Sequence, residues 1–186
     1  KENEIVKKSE FSPSAVKSLL EKELIVEEKK EKYRINISDN QDIKRNVLNE
    51  EQKNVYNEVI NSKGYNTFLL EGVTGSGKTE VYLNLVEYMI KNNKTSLVLV
   101  PEISLTMQIV RRFYEYFGRR VAIFHSALSE GEKYDEYLKI LKGEVSVVVG
   151  TRSAIFTPLK NLGLIIVDEC HSDTYKQDNT PRYNAL

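Results

Sequence analysis

"LLEGVTGSGKTEVY", residues 69–82, is the stretch on which the reading of this chain turns. An apolar run opens into Gly72, Gly75 and Gly77, then one lysine and one threonine. Gly72-Val73-Thr74-Gly75-Ser76-Gly77-Lys78-Thr79 fits the pattern G-x-x-x-x-G-K-[ST]. Glycines let a loop turn tightly enough for successive backbone N–H groups to face inward. Those groups, with the N-terminus of the helix that follows, attract a polyphosphate. Lys78 would reach the outer phosphates, and the Thr79 hydroxyl would serve a magnesium ion. The flanks suit this reading: "TFLLEG" (67–72) predicts a buried strand leading in, and residues 80–91 a helix leading out. The competing reading is a glycine-rich turn with no ligand.

Working outward, the same alternation continues. The pattern predicts a helix over 49–62, a strand at 95–101 and a helix from about 104 to 117. A strand at 120–125, a helix at 129–143 and strands at 145–151 and 162–169 follow. Val/Ile/Leu runs without polar alternation predict strands covered on both faces. The fold class is therefore α/β, with a mainly parallel sheet flanked by helices.

Residues 1–45 differ in texture: they are charged and hold no glycine. In "SPSAVKSLLEKELI" (12–25), Ser12 suits an N-cap, Pro13 the first helical position, and Val16, Leu19, Leu20 and Leu24 an apolar stripe. A short helix before it and a hairpin after it, "LIVEEKKEKYRINI" (24–37), make residues 1–38 a partial winged-helix-like segment, or any small helical appendage. Residues 39–47 read as a linker and 48–186 as the main domain.

With 186 residues, such a chain buries roughly 70% of its unfolded surface without a metal or disulfide staple. Its 27 basic and 27 acidic residues balance, so any nucleic-acid binding rests on local placement. A single cysteine, Cys170, excludes an internal disulfide and a Cys-rich zinc site and fits a reducing cytoplasm. No apolar stretch has the length of a membrane span and no signal peptide is visible, so a cytoplasmic protein without a membrane partner is expected.

A phosphate cradle needs a second half, and "LIIVDECH" (164–171) supplies it. Four apolar residues carry Asp168 and Glu169 to the carboxyl end of a strand, where open α/β sheets place their sites. Asp168 would serve the Mg²⁺ shell, and Glu169 would orient or deprotonate an attacking water. The plainer reading is two carboxylates that merely end a strand. His171 beside them is assigned a coupling role. Cys170 reads as a packed apolar side chain, with a reactive thiol as the alternative.

"DECH" with "GSGKT" resembles the DEAH-type superfamily 2 helicases. "GVTGSGKTEVY", "LVLVPEISLT", "FHSALSEGEK", "VVVGTRSAIFTPLKNLGLIIVDE" and "SDTYKQDNTPRYNA" narrow the resemblance to the replication-restart (primosomal) helicases, over residues 48–186. The resemblance implies a RecA-like P-loop NTPase domain, the first lobe of a 3′-to-5′ ATP-dependent DNA helicase that uses ATP and Mg²⁺. It implies that Gln52 reads adenine, with an exposed helix glutamine as the plain alternative. Pro101 to Thr106 would meet single-stranded DNA. Gly150 and Thr151 would offer backbone and hydroxyl groups to the strand, and Arg152 a charge. Tyr175, Lys176 and Arg182 would belong to an aromatic-rich loop that relays DNA contact to the ATPase centre, its rings stacking on bases and its cations holding phosphates. The implied partners are single-stranded and forked DNA, replication-restart proteins and single-strand-binding protein. The family's second lobe, with its phosphoryl-stabilising arginine, would lie beyond Leu186. Its zinc-binding cysteines, and hence zinc, and its leading DNA-end-binding domain are also expected only outside this chain, so turnover by these residues alone should be negligible. The rivals are a small-molecule kinase with the same loop and a winged-helix regulator whose loop only senses ATP.

Overall fold

A computed structural model describes residues 12–22, 24, 46–73, 75–101 and 107–186. The chain divides into two compact units, residues 1–32 and 33–186. Within the first, helix α1 runs Pro13–Glu21, and the Ser12 hydroxyl accepts a hydrogen bond from the Ala15 amide at 3.3 Å. Val16 is its buried residue. The flanking short helix and the hairpin of the winged-helix-like segment, and most of the 39–47 linker, lie outside the described residues.

The second unit opens with α2, Glu50–Asn61. Its start is closed reciprocally: the Gln52 amide donates to Asn49 Oδ1 at 2.8 Å, and the Asn49 amide donates to Gln52 Oε1 at 3.0 Å. Glu50 and Glu51 sit in the first turn, where the helix dipole favours negative charge. Helix α3 covers Lys78–Lys91 and leads to strand β1, Thr95–Leu99. Helix α4, Met107–Phe117, and a short 3₁₀ turn, Gly118–Arg120, lead to β2, Val121–Phe124. Helix α5, Glu130–Lys142, carries a capping box between Ser129 and Glu132 and ends at Gly143, whose φ of 73° permits the left-handed closing turn. Strand β3, Val147–Gly150, runs into a 3₁₀ turn, Arg152–Phe156. Strand β4, Leu162–Val167, is followed by a 3₁₀ turn at Asp173–Tyr175 and the two-residue strands β5, Lys176–Gln177, and β6, Tyr183–Asn184.

Strands β1 to β4 form one sheet in the order β2-β3-β1-β4, with every neighbour parallel. Alternate residues feed opposite faces, as the two-residue period of a strand requires. Val98, Val100, Val147 and Val149 meet Leu83 and Val86 of α3 and Phe113 of α4 on one face. Leu97, Leu99 and Val148 meet Ile140 of α5, Ala154 and Tyr175 on the other. The sheet thus has helices on both sides, the expected layering.

One expected strand is not formed. Residues 67–72, read as a buried strand, form no strand and pair with none among the described residues. Leu70 packs on the core, whereas Leu69 is 75% exposed. Strand β4 is consequently an edge: Ile165, in its middle, is 55% exposed. An apolar run becomes a strand only where a backbone neighbour takes up its N–H and C=O groups, and the run's composition does not say whether that neighbour is there.

Parallel pairing also aligns the strand ends. Leu99 stands opposite Gly150 on one side and Val167 on the other. The Val100 amide donates to the Gly150 carbonyl and the Asp168 amide to the Leu99 carbonyl, both at 2.9 Å. Pro101, residues 150–152 and residues 168–171 therefore all emerge at the carboxyl edge of the sheet.

Candidate functional site

The glycine-rich loop has the backbone its sequence demands. Gly75 and Gly77 have φ of 82° and 83°, in the left-handed region that L side chains avoid. Gly77 is the N-cap of α3, and no side chain caps it. Helices α1, α2 and α5 each close their first turn with a side-chain oxygen. The first amides of α3 thus have no such partner and remain available to an anion. Lys78 Nζ donates to the Gly72 carbonyl at 2.6 Å and lies 3.4 Å from that of Val73, so the ammonium is folded over the loop. Thr79 is the second residue of α3. Thr74 lies outside the described residues.

The opposite wall is the end of β4. Asp168 is 8% exposed, and its Oδ1 accepts a 3.1 Å hydrogen bond from the Tyr82 hydroxyl. Tyr82 is one turn after Lys78 on α3, so this bond brings the carboxylate to the first turns of the cradle helix. Burial pushes the Tyr82 phenol well above its ordinary pKa, and the charges of Asp168 and then Glu169 push it further. Tyr82 is thus a neutral donor at working pH. The sequence alone assigns this residue no role. Glu169 has φ of 48°, a left-handed conformation that costs a non-glycine residue of order 1 kcal/mol or more and re-aims the chain as it leaves the strand. Its Oε2 lies 3.4 Å from His171 Nε2. Hard oxygen donors on both walls, Thr79 and Asp168, suit a magnesium ion. Among the described residues, no group of three His, Cys, Asp or Glu side chains forms an all-protein metal site.

Gln52 takes a place of its own. Its Nε2 donates to the carbonyls of Ser76 at 3.3 Å and Gly77 at 3.4 Å, while its Oε1 closes the start of α2. It ties α2 to the glycine loop, and both ends of its amide are engaged.

The expected strand-contact residues are distributed differently from the reading above. Pro101 is buried at the end of β1, and Thr106 lies outside the described residues. Gly150 and Thr151 are not surface groups. The Gly150 carbonyl and Thr151 amide are spent in the sheet, and the Thr151 hydroxyl is buried with no partner among the described residues. Gly150 is required by close approach: a Cβ there would lie 2.2 Å from the Phe124 carbonyl oxygen. Arg152 Nη1 donates to the carbonyls of Thr174 and Lys176, each at 3.0 Å, so it clamps the aromatic-rich loop.

Tyr175 corrects the stacking expectation outright. It is 1% exposed, and its hydroxyl donates to the main-chain carbonyls of Leu99, at 3.1 Å, and Asp168. A ring so placed cannot stack on a base; it braces the backbone that carries Asp168. Its burial follows from the packing of the loop under β1 and β4, which local composition does not reveal. Lys176 and Arg182 are exposed, with Arg182 Nε bonded to the Asp178 carbonyl at 2.9 Å. Cys170, read as packed, is exposed. No helix among the described residues is long and apolar enough to cross a membrane.

Comparison with known proteins agrees with this geometry. Residues 49–184 match the family model described as DEAD/DEAH box helicase. The chain is 48% identical over 187 residues to the replication restart protein PriA of Bacillus subtilis, covering 98% of this chain and 23% of that protein. It is 46% identical over 189 residues to the PriA of a Synechocystis species, covering 98% of this chain and 22% of that one. The chain thus spans under a quarter of the length of these relatives. Among solved structures, the crystal structure of T4 UvsW superposes with a TM-score of 0.52 at 23% identity, over 88% of this chain and 30% of that one, a likeness of fold. A glycine cradle at a helix start, an aspartate held beside it at the end of the neighbouring strand, and a family model matching nearly all of the larger unit have one explanation: the chain belongs to the DEAD/DEAH box helicase family.

Proposed function

We propose that this chain is the first motor lobe of a replication-restart DNA helicase that hydrolyses ATP and moves 3′ to 5′ along one strand. The observation that carries the reading is the bond between Tyr82 and Asp168, which sets a buried carboxylate against the helix that leaves the glycine loop. The amides of residues 75–79 and Lys78 would hold the polyphosphate, exchanging the Gly72 carbonyl for phosphate oxygens. Thr79 and Asp168 would hold Mg²⁺, whose bound nucleotide supplies the phosphoryl group and the free energy of its transfer. Glu169 would orient the water, and His171 beside it would link that carboxylate to the rest of the motor. Gln52 would read the base of the nucleotide, and its bond to the loop supports a link between base and loop. Forked and single-stranded DNA, replication-restart proteins and single-strand-binding protein would be the partners, and the strand would run along the carboxyl edge of the sheet past Pro101, Thr106, Lys176 and Arg182. Arg152 would act by holding the loop.

The test is Glu169→Gln in the full-length protein, with ATP binding, ATP hydrolysis and unwinding of a forked duplex measured together. The expected result is retained binding with hydrolysis and unwinding both reduced by about 10² or more, the size of a lost general-base contribution. Retained unwinding would overturn the assignment.

A further inference from the structure

Removing Tyr175 from the surface leaves the strand-facing edge without its expected ring, yet another ring stands there. Phe156 ends the 3₁₀ turn that leaves β3 and is 64% exposed. Its ring meets that of Tyr183, in β6, edge to face, with centroids 5.0 Å apart and planes at 72°. An exposed phenylalanine leaves its apolar surface in water, which is unfavourable. Here it is not a stray side chain on a flexible tip. Arg152, four residues earlier, clamps its turn to the loop carbonyls of Thr174 and Lys176, and β5 pairs with β6 so that Gln177 faces Tyr183 and Lys176 faces Asn184. Main-chain and guanidinium bonds therefore fix both rings. Exposed cations occur in the same short ladder, Lys176 in β5 and Arg182 just before β6, but strand alternation puts the Lys176 side chain on the face opposite Gln177 and Tyr183.

A fixed, solvent-exposed ring is the chemistry that receives an unpaired nucleic-acid base, because it supplies a stacking face. We infer that Phe156, propped by Tyr183, is a base-stacking position on the single-strand path of this lobe, and that Tyr175 serves beneath it as a brace. This rests on the helicase reading above. Stacking on one base is sequence-tolerant, so the position would grip any unpaired strand rather than select one.

The test uses the full-length protein, a labelled oligo(dT) and an abasic oligonucleotide of equal length, with affinities read by fluorescence anisotropy. Phe156→Ala should weaken oligo(dT) binding about tenfold, the scale of one lost stack. Affinity for the abasic strand should stay within about twofold, because no base is there to stack. Phe156→Trp should restore the preference for oligo(dT), whereas Phe156→Leu, which keeps an apolar side chain without a π face, should behave like Phe156→Ala. Equal weakening on both strands, or a Leu variant that matches the wild type, would show that Phe156 packs against another part of the protein and would overturn the inference. So would an unchanged Phe156→Ala. A wild-type protein that binds neither strand would instead sink the helicase reading itself.

Discussion

The Tyr82 hydroxyl donates to Asp168 Oδ1 at 3.1 Å across a separation of 86 residues, joining the helix that leaves the phosphate loop to the strand that ends in the acidic pair. Both groups are largely withdrawn from water, so each is the other's main source of polar satisfaction. Tyr82→Phe removes the donor and keeps the ring. A hydrogen bond to a charged group contributes about 1.5–3 kcal/mol net, so a loss of this order is expected in urea unfolding. The freed carboxylate should also change the Mg²⁺ concentration that half-saturates ATP hydrolysis in the full-length protein. An unchanged melt together with an unchanged Mg²⁺ titration would mean that the contact contributes nothing.

The same phenol sets a pH dependence. Tyr82, Tyr114 and Tyr175 all have pKa values raised well above the ordinary 10.0, in each case by burial first, then by neighbouring carboxylates. A raised pKa means that the folded state holds the proton more tightly than the unfolded chain does. The stabilisation is complete below pH 10 and is lost as pH rises from there toward the folded-state values. Urea midpoints should therefore be flat from pH 8 to about 9.5 and fall steeply above pH 10. Tyr175→Phe should shallow that fall. A midpoint that does not move between pH 9 and pH 11 would contradict the burial of these phenols.

Much of this architecture is legible in the residues, and the failures share a cause. Ser12 marks a helix start by local chemistry, and that cap forms as read; the capping boxes of Asn49 with Gln52 and of Ser129 with Glu132 carry the same signal. The valine run 147–149 marks a strand buried on both faces, and it is one. The glycine loop reveals itself because bare backbone at fixed spacing has few other uses. Residues 67–72 were misread because pairing depends on what lies alongside, which no local pattern encodes. Tyr175 was misread for the same reason. A tyrosine amid polar neighbours looks solvated until tertiary packing assigns its side. Tyr82 was overlooked because its hydroxyl's partner lies 86 residues away, where no local pattern points.

Two glycines should respond differently to the same substitution. At Gly150 a Cβ would come within 2.2 Å of the Phe124 carbonyl oxygen and 2.6 Å of the Ala154 Cβ, neither of which can swing away. Gly150→Ala should cost about 1–3 kcal/mol, the usual penalty of overpacking. At Gly77 the nearest atom is Gln52 Nε2, at 2.5 Å, the end of a movable side chain, but φ is 83°. Gly77→Ala should carry about 1–2 kcal/mol of backbone strain and be relieved by distorting the loop, so nucleotide affinity should fall more than thermal stability. Calorimetric melting and nucleotide titration of the two variants separate these outcomes; equal effects on both quantities would count against the distinction.

Arg112 on α4 holds Glu80 on α3, through Nη2 at 2.7 Å and Nε at 3.2 Å to the same carboxylate oxygen, while Glu80 Oε2 is buried with no hydrogen-bond partner among the described residues. A half-buried carboxylate with one oxygen already unserved depends heavily on its cation. Arg112→Ala should destabilise by about 2–4 kcal/mol, somewhat below the figure for a fully buried pair. Adding Glu80→Gln should recover part of that loss, because the stranded charge goes with it. A double-mutant cycle in urea measures the coupling. Strict additivity of the two changes would show that the helices are held by packing alone.

Arg152 offers the sharpest separation of bracing from charge. Its Nη1 serves the carbonyls of Thr174 and Lys176, and between them Tyr175 braces Leu99 and Asp168 from below. The guanidinium thus restrains a loop that is continuous with the Asp168 backbone. Arg152→Lys preserves the positive charge but loses the planar fork, and one ammonium on a flexible stem replaces two aligned N–H donors poorly. If Arg152 met DNA mainly as a cation, the lysine variant would behave like the wild type. If it acts as a clamp, amide hydrogen exchange over residues 173–177 should quicken by about tenfold, the equivalent of ~1.4 kcal/mol of lost local protection. DNA-stimulated ATP hydrolysis should fall with it while DNA-independent turnover holds. Wild-type exchange rates in the lysine variant would return Arg152 to the strand and remove the clamp from this account.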